Sequence, residues 1–367
     1  MDFIAGATIL LLACIGNAEL WVVLINRRHS LRYRHHSLRR IRTFHDFGLL
    51  LFPPFILYTA GLGDNGLLAG GSISDLPRTV QGILLVTFLG LVPFGYSAVR
   101  WNLRRDPRRL QSVVGDTFDL AAEAKSADQR AAVLGQQGFL ARLPFNQIYE
   151  LEVNTRTLRL HSDQECERTL RIAHFSDMHL LPCPGPGFHE RVVDHLCDLQ
   201  PDFFVFTGDL LDRDDLLAEA TELFRRMRTV APGYFILGNH DWHLDVDQIR
   251  SQIAATGWTD VAATHITTEH QGMSILIAGT EYPWMGHNPA VPEPAGESFR
   301  LLLSHAPDQR NYAAANQYDL MVCGHNHGGQ VVLPVVGPVY SPSRYGVQYA
   351  GGLFEYGNML MHTVSAW

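Results

Sequence analysis

The sequence predicts an α/β fold, with sheets covered by helices, behind an N-terminal helical membrane region. Three observations predict it. Short, wholly apolar runs recur at 203–206, 234–237 and 301–303, the pattern of strands buried on both faces. Stretches with helical spacing lie between them, so that after Leu170 the chain reads strand, loop, helix, repeated. Ahead of that alternation, three long apolar stretches fall within the first hundred residues.

Composition agrees. The 367 residues are 46% hydrophobic and only 18% charged, apolar for a soluble chain and long enough for one large domain or two smaller ones. Five cysteines stand without a C-x-x-C pair, which predicts free thiols in a reducing compartment and not a disulfide framework. The net charge of -8 conceals two basic knots: Arg27, Arg28, Arg32, Arg34, Arg39, Arg40 and Arg42, then Arg100, Arg104, Arg105, Arg108 and Arg109. Membrane topology explains these arginines more cheaply than nucleic-acid binding, which is not expected.

Taken in order, residues 3–25 have the length of a bilayer-spanning helix, with neither a basic start nor a small-residue cleavage site. Leu11-Leu12-Ala13-Cys14 resembles a lipoprotein box, but no cation precedes it. Residues 47–62 form a shorter stretch interrupted by Pro53-Pro54, and 80–99 a full span. Three spans place both arginine knots on one face, and the positive-inside rule makes that face cytoplasmic. The expectation is therefore an outside N-terminus and an inside C-terminal domain. Glu19, within the first span, reads as protonated or near the interface.

Three segments are expected: an anchor over 1–110, linker or surface helices over 111–144, and a C-terminal domain over 145–367. A hairpin across Asn154-Thr155 opens that last domain, pairing 147–153 with 156–160. Helices are expected at 188–199, 214–229, 246–256 and 308–316, with further strands at 272–279, 301–305, 320–324 and 330–333.

The apolar runs deliver polar side chains at their ends. In order these are Asp177 and His179, Asp209, Asn239, His305, and His325 with His327. Carboxylate, imidazole and amide oxygen together suit Mn²⁺, Fe²⁺ or Zn²⁺ better than Ca²⁺ or a thiolate-seeking ion. Seven donors exceed one tetrahedral site and fit two cations sharing a carboxylate. Asp-x-His and His-x-His converge because the chain beyond a strand end is no longer pleated. His174, His189, His195, His243 and His265 lie outside this pattern and read as packed or surface histidines, and Cys183 and Cys323 as packing residues.

The ordered set Asp177-x-His179, Gly208-Asp209, Gly238-Asn239-His240-Asp241, His305 and Gly324-His325-x-His327 resembles the calcineurin-like metallophosphoesterases. The resemblance runs from about residue 170 to the C-terminus and implies a four-layer α/β/β/α sandwich with a dinuclear centre. One cation would be held by Asp177, His179, Asp209 and His327, the other by Asp209, Asn239, His305 and His325, with Mn²⁺ first in order of expectation, then Fe²⁺ or Zn²⁺. It implies hydrolysis of a phosphodiester or phosphoanhydride by a hydroxide between the cations, attacking phosphorus in line with the leaving oxygen. His240 would serve as donor or general acid, with Asp241 orienting or charge-stabilising it.

The N-terminal spans, Thr207-Gly208-Asp209-Leu210-Leu211-Asp212 and Gly324-His325-Asn326-His327-Gly328-Gly329-Gln330 are similar to a membrane-anchored bacterial branch. That branch includes enzymes cleaving UDP-2,3-diacylglucosamine to UMP and a lipid monophosphate in lipid A synthesis. It implies a multi-pass protein of the bacterial inner membrane, its C-terminal domain facing the cytoplasm and meeting a lipid-linked or phosphorylated small-molecule substrate beside the membrane lipids. Arg344 and Tyr345 are candidate diphosphate contacts, and Trp242 and His243 candidates for lining the substrate mouth. Two alternatives stay open: another phospholipid, nucleotide or envelope phosphate as substrate, and a silent membrane scaffold. The branch also carries an Arg-Gly loop after the strand near 360–365, where this sequence reads Ser365-Ala366-Trp367.

Overall fold

The computed structural model describes residues 2–29, 31–32, 35–142, 146–160, 168–293, 298–329 and 331–365. Cys166, Gln330, Ala366 and Trp367 lie outside the described residues. The chain opens with helices α1 (Phe3–His29), α2 (His35–Ile56) and α3 (Arg78–Asn102). Strand β1 (Leu110–Asp119), helix α4 (Ala127–Leu134) and strand β2 (Glu150–Leu158) follow. The alternation then sets in with β3 (Ile172–Phe175), α5 (Pro186–Asp198), β4 (Phe203–Thr207), α6 (Leu217–Arg228), β5 (Gly233–Ile236), α7 (Val246–Ala255) and β6 (Thr259–Asp260). Strands β7 (His265–His270), β8 (Met273–Thr280) and β9 (Ser298–Ser304) lead to α8 (Arg310–Ala315) and β10 (Leu320–Cys323). The hairpin β11 (Val331–Leu333) and β12 (Gly337–Tyr340) precedes a closing pair, β13 (Gly352–Tyr356) and β14 (Met359–Thr363).

These elements form two compact units, Met1–Arg105 with Gly329–Ala350, and Asp106–Gly328 with Gly351–Trp367. The division differs from the expected boundaries at 110 and 144. The segment read as a linker folds with the larger unit, and 329–350 with the N-terminal helices.

In the larger unit a parallel sheet, β3-β4-β5-β6, faces a mixed sheet, β13-β14-β10-β9-β8-β7. Strand side chains alternate, so β4 sends Phe203 and Val205 between the sheets, against Ile275, Ile277, Leu301 and Leu303. Phe204 and Phe206 point the other way, into a core with Leu223, Phe224, Ile253 and Trp258. All five residues of β4 are buried, which is why its sequence is continuously apolar. Helix α6 covers the parallel sheet with one stripe, Leu217, Ala220, Leu223, Phe224 and Met227, at helical spacing. On the far side α8 packs against β14. Two sheets between helices are the architecture expected.

The hairpin expected across Asn154-Thr155 does not form. Strand β2 runs straight through these residues and pairs antiparallel with β1, Asn154 opposite Gly115 and Thr155 opposite Val114. Residues 111–119, expected as helix, are therefore strand, and the only α-helix of this region among the described residues is α4. Most of β1 is solvent-exposed on both faces, so its sequence has no period-two apolar signal.

In the smaller unit α1 and α3 are long and apolar enough to cross a bilayer, whereas α2, which takes in most of the expected second span, is not a candidate among the described residues. Helix α2 carries arginines in its first half and Pro53 and Pro54 in its second. It continues into a π-helical turn, Leu57–Gly61, where the prolines have removed backbone donors. Gly16 and Gly90 bring α1 and α3 close: a Cβ on Gly16 would lie 1.9 Å from the Thr87 carbonyl oxygen, and one on Gly90 2.1 Å from that of Gly16.

Candidate metal centre

Parallel pairing sets β3, β4 and β5 side by side in one sheet and β9 beside β10 in the other, each pair running in the same direction. Their C-terminal ends deliver the polar residues. Asp177, His179, Asp209, His325 and His327 all have left-handed backbones, with φ of 55°, 42°, 56°, 69° and 48°. Five such residues at strand ends are strained and cluster where a site demands it. This twist brings the residues of Asp-x-His and His-x-His to one point.

Two donor groups result, Asp177 with His179 and His327, and Asp209 with His305 and His325, ligand atoms within 4.8 Å of one another in each. His179 also groups with Asp209 and His240, so Asp209 stands between the sets. Asp209 Oδ1 accepts from the His240 amide at 2.8 Å. Its buried Oδ2 has no hydrogen-bond partner among the described residues and faces His305 Nε2 at 3.3 Å and His179 Nε2 at 3.6 Å. Gly238 permits this closeness, since a Cβ there would meet Asp209 Oδ1 at 2.2 Å.

The donor set fits a cation. His305 Nδ1 donates to the Thr207 carbonyl at 2.7 Å, so in a neutral ring Nε2 bears the lone pair. That lone pair faces Asn239 Oδ1 at 3.0 Å as well as Asp209 Oδ2. Three acceptors aimed at one point require a proton or a metal ion between them. Without a metal it is a proton: burial opposes charge on His305, yet Asp209 holds its pKa up to about 9. Among the described residues no thiol joins the set. Cys323 is buried with Sγ 3.2 Å from Thr363 Oγ1, and burial pushes its pKa up to about 12.

His240 is exposed beside the two groups, with Nδ1 2.5 Å from Asp212 Oδ1. Asp212 also receives His179 Nδ1 at 3.3 Å. Burial opposes ionisation of Asp212, but bonds to His179 and His240 hold its carboxyl well below the usual carboxylate range. Although about half of the His240 side chain is open to solvent, partial desolvation opposes its charge, and Asp209 and Asp212 outweigh it, raising the pKa to about 9.

The expected orienting of His240 by Asp241 is corrected accordingly, although the Asp241 charge still helps to raise the pKa of the ring. Asp241 is fully buried and turned inward, accepting from the amides of Leu210 and Leu211 at 3.0 Å each and of Gly238 at 2.9 Å. It ties the two metal-binding loops together, while Asp212 holds the His240 ring. A carboxylate three residues beyond Asp209 was the only sequence trace of that role.

Two further features escaped the sequence. Buried Trp284 lies against the rings of His305 and His325, at 5.4 and 4.8 Å, forming an apolar wall. A partly buried chain runs from Arg156 Nη1 to His362 Nε2 at 3.3 Å, from His362 Nδ1 to His174 Nδ1 at 3.0 Å, and from His174 Nε2 to Thr207 Oγ1 at 3.0 Å. Arginine can only donate, which makes each histidine in turn acceptor then donor and fixes both tautomers. The chain ends on Thr207, whose carbonyl orients His305.

The remaining candidates are placed differently. Trp242 lines a cavity of about 410 Å³ with Val246, Arg250, Asp260, Glu281 and Met285. His243 is exposed at the end of the short turn Asp241–His243. Arg344 and Tyr345 belong to the smaller unit, the guanidinium lying 5.7 Å from the Tyr345 ring centre.

Residues 170–329 match the family model of the calcineurin-like phosphoesterases. The chain is 30% identical to phosphodiesterase YaeI of Escherichia coli (strain K12), over 45% of its own length and 62% of that protein's. It is 29% identical to the uncharacterized metallophosphoesterase YkuE of Bacillus subtilis (strain 168), over 51% of its length and 68% of that protein's. A transmembrane protein with metallophosphoesterase domain from Danio rerio is 28% identical, over 54% of this chain and 48% of the fish protein. The chain thus spans less than two thirds of the first and third of these relatives.

Proposed function

We propose, for a chain whose residues 170–329 match the family model of the calcineurin-like phosphoesterases, that the protein hydrolyses a phosphodiester at a two-cation centre beside a membrane. The observation that carries this is the convergence of two donor groups on Asp209, whose buried Oδ2 lacks a hydrogen-bond partner among the described residues. Asp177, His179, Asp209 and His327 would hold one cation; Asp209, Asn239, His305 and His325 the other. Two divalent cations there supply Lewis-acid charge to a phosphoryl group and its nucleophile. Oxygen and nitrogen donors without thiolate favour Mn²⁺, with Fe²⁺ or Zn²⁺ next.

The chain's own groups do the rest. His240, held through Nδ1 by Asp212, turns its Nε2 to a phosphoryl or leaving-group oxygen. Trp284 keeps water from the side of His305 and His325. A diester is favoured over a monoester by the name of the Escherichia coli relative. The apolar helices α1 and α3 and the fish relative's name support a substrate met at a membrane. If α2 and the turn after it form a third crossing, the two arginine knots fall on one face and support an outside N-terminus with the phosphoesterase domain on the cytoplasmic side.

The test uses full-length protein in detergent, stripped by chelator and reloaded with Mn²⁺. Bis-p-nitrophenyl phosphate, p-nitrophenyl phosphate and UDP-2,3-diacylglucosamine are compared. Mn²⁺-dependent cleavage of a diester or anhydride, lost in Asp209→Asn, is the expected result. Metal-loaded protein that turns over none of them is not this enzyme; turnover of the UDP lipid alone would assign the lipid A branch.

A further inference from the structure

Four residues after His327 the chain enters the hairpin β11–β12, whose run Val331-Val332-Leu333-Pro334-Val335-Val336 is apolar throughout. Val331, Val332, Leu333 and Val335 are 50%, 58%, 43% and 84% exposed. Single exposed apolar residues are ordinary; a consecutive set on one tip marks a surface that meets something apolar. Val335 adds a second sign, since its φ of 68° is left-handed, a costly conformation for a β-branched residue. At 84% exposure its side chain is left almost bare among the described residues.

The hairpin's place in its own unit says what it meets. It is fixed to the C-terminal end of α3. Asn102 Nδ2 donates to the Val335 carbonyl at 2.6 Å, and Gly337 lets the Trp101 ring so close that a Cβ would lie 2.5 Å from it. Trp101 and Asn102 are the last residues of a helix long and apolar enough to cross a bilayer. The end of such a helix lies among lipid headgroups, and the tip bonded to it lies at the same depth. Tryptophan belongs there. So do cations: Arg100 lies 5.7 Å from the Tyr96 ring centre and Arg104 5.9 Å from that of Trp101.

We propose that the β11–β12 tip is a membrane wedge, its four exposed apolar side chains entering the headgroup–acyl boundary of an anionic leaflet. Arg100 and Arg104 supply the complementary charge. The inference rests on reading α1 and α3 as membrane spans. It deepens the proposed function, since an element four residues beyond a metal-centre histidine that grips the leaflet favours substrates carried in that leaflet.

The full chain, its native cysteines replaced, is reconstituted into vesicles of phosphatidylethanolamine and phosphatidylglycerol. A single environment-sensitive fluorophore is attached at Val335→Cys, at Leu89→Cys within α3, or at Asp64→Cys as a control. Blue-shifted emission at 335, quenched best by lipids labelled near the headgroup, is expected, together with deep quenching at 89. A water-like signal at 335 with lipid-like signal at 89 overturns the wedge alone and points to a protein partner for the tip. Water-like signals at both overturn the spanning reading and the wedge with it.

The double variant Val332→Asp with Val335→Asp should lower hydrolysis of a vesicle-borne lipid diester about tenfold, leaving soluble bis-p-nitrophenyl phosphate unaffected. Equal loss on both substrates, or on neither, overturns the claim that the wedge serves substrate access.

Discussion

Two aspartates in the site sit in opposite settings, and their variants should fail differently. Asp212 accepts from two histidine rings, whereas Asp241 accepts from three backbone amides. Asp212→Asn should leave the fold intact while lowering kcat about 10- to 100-fold, with weaker metal binding, because the rings of His179 and His240 lose their orienting charge. Asp241→Ala should instead destabilise the domain by about 2–3 kcal/mol, leaving buried amides unbonded. Steady-state kinetics with metal titration, alongside thermal unfolding, separates the two. The pattern Gly-Asn-His-Asp suggested a histidine–carboxylate pair within one loop. The observed pair spans two loops because Asp241, inside the turn, is nearer the amides than the ring.

At the level of single elements, α5 contains the clearest linkage to pH. His189 is buried, and burial pushes its pKa down to about 4. Unfolded, the ring titrates near its usual value of about 6.5. Between those values the unfolded chain binds a proton that the folded one refuses, so stability is lost as pH falls from about 6.5 to about 4. The loss attributable to this ring is on the order of 3 kcal/mol, and above about 6.5 it vanishes. His189→Leu should flatten that part of the curve of melting temperature against pH. An unchanged slope would show that the ring is hydrated in the folded state. Strand β4 and helix α6 were legible because burial leaves a continuous apolar run in the one and an apolar stripe at helical spacing in the other. Strand β1 was not, since pairing with β2 stabilises it while both faces stay wet.

On the scale of the molecule, the smaller unit depends on close approach of α1 to α3. Gly16→Leu should force them apart, costing about 1–3 kcal/mol and lowering the amount of folded protein recovered from membranes. The rate per folded molecule on a soluble diester should stay the same, because the donor groups lie in the other unit. Loss of that rate would show that the two units depend on one another for folding. The division itself was hidden from the sequence. Residues 329–350 follow the last histidine of the metal motif without a linker, yet fold with helices more than two hundred residues earlier.

What the sequence marked by itself was the candidate donor set, because each candidate is written locally, as a polar residue at the end of an apolar run. It also determined the alternating α/β plan and the apolar N-terminal helices, both of which follow from periodicity and length. Only the tertiary structure decided that Asp212 holds His240, that Arg156 orders His362 and His174, and that an apolar hairpin belongs with the helices. Those facts depend on contacts between residues as many as 233 positions apart, as Asn102 and Val335 are, and such contacts leave no local trace in composition or spacing.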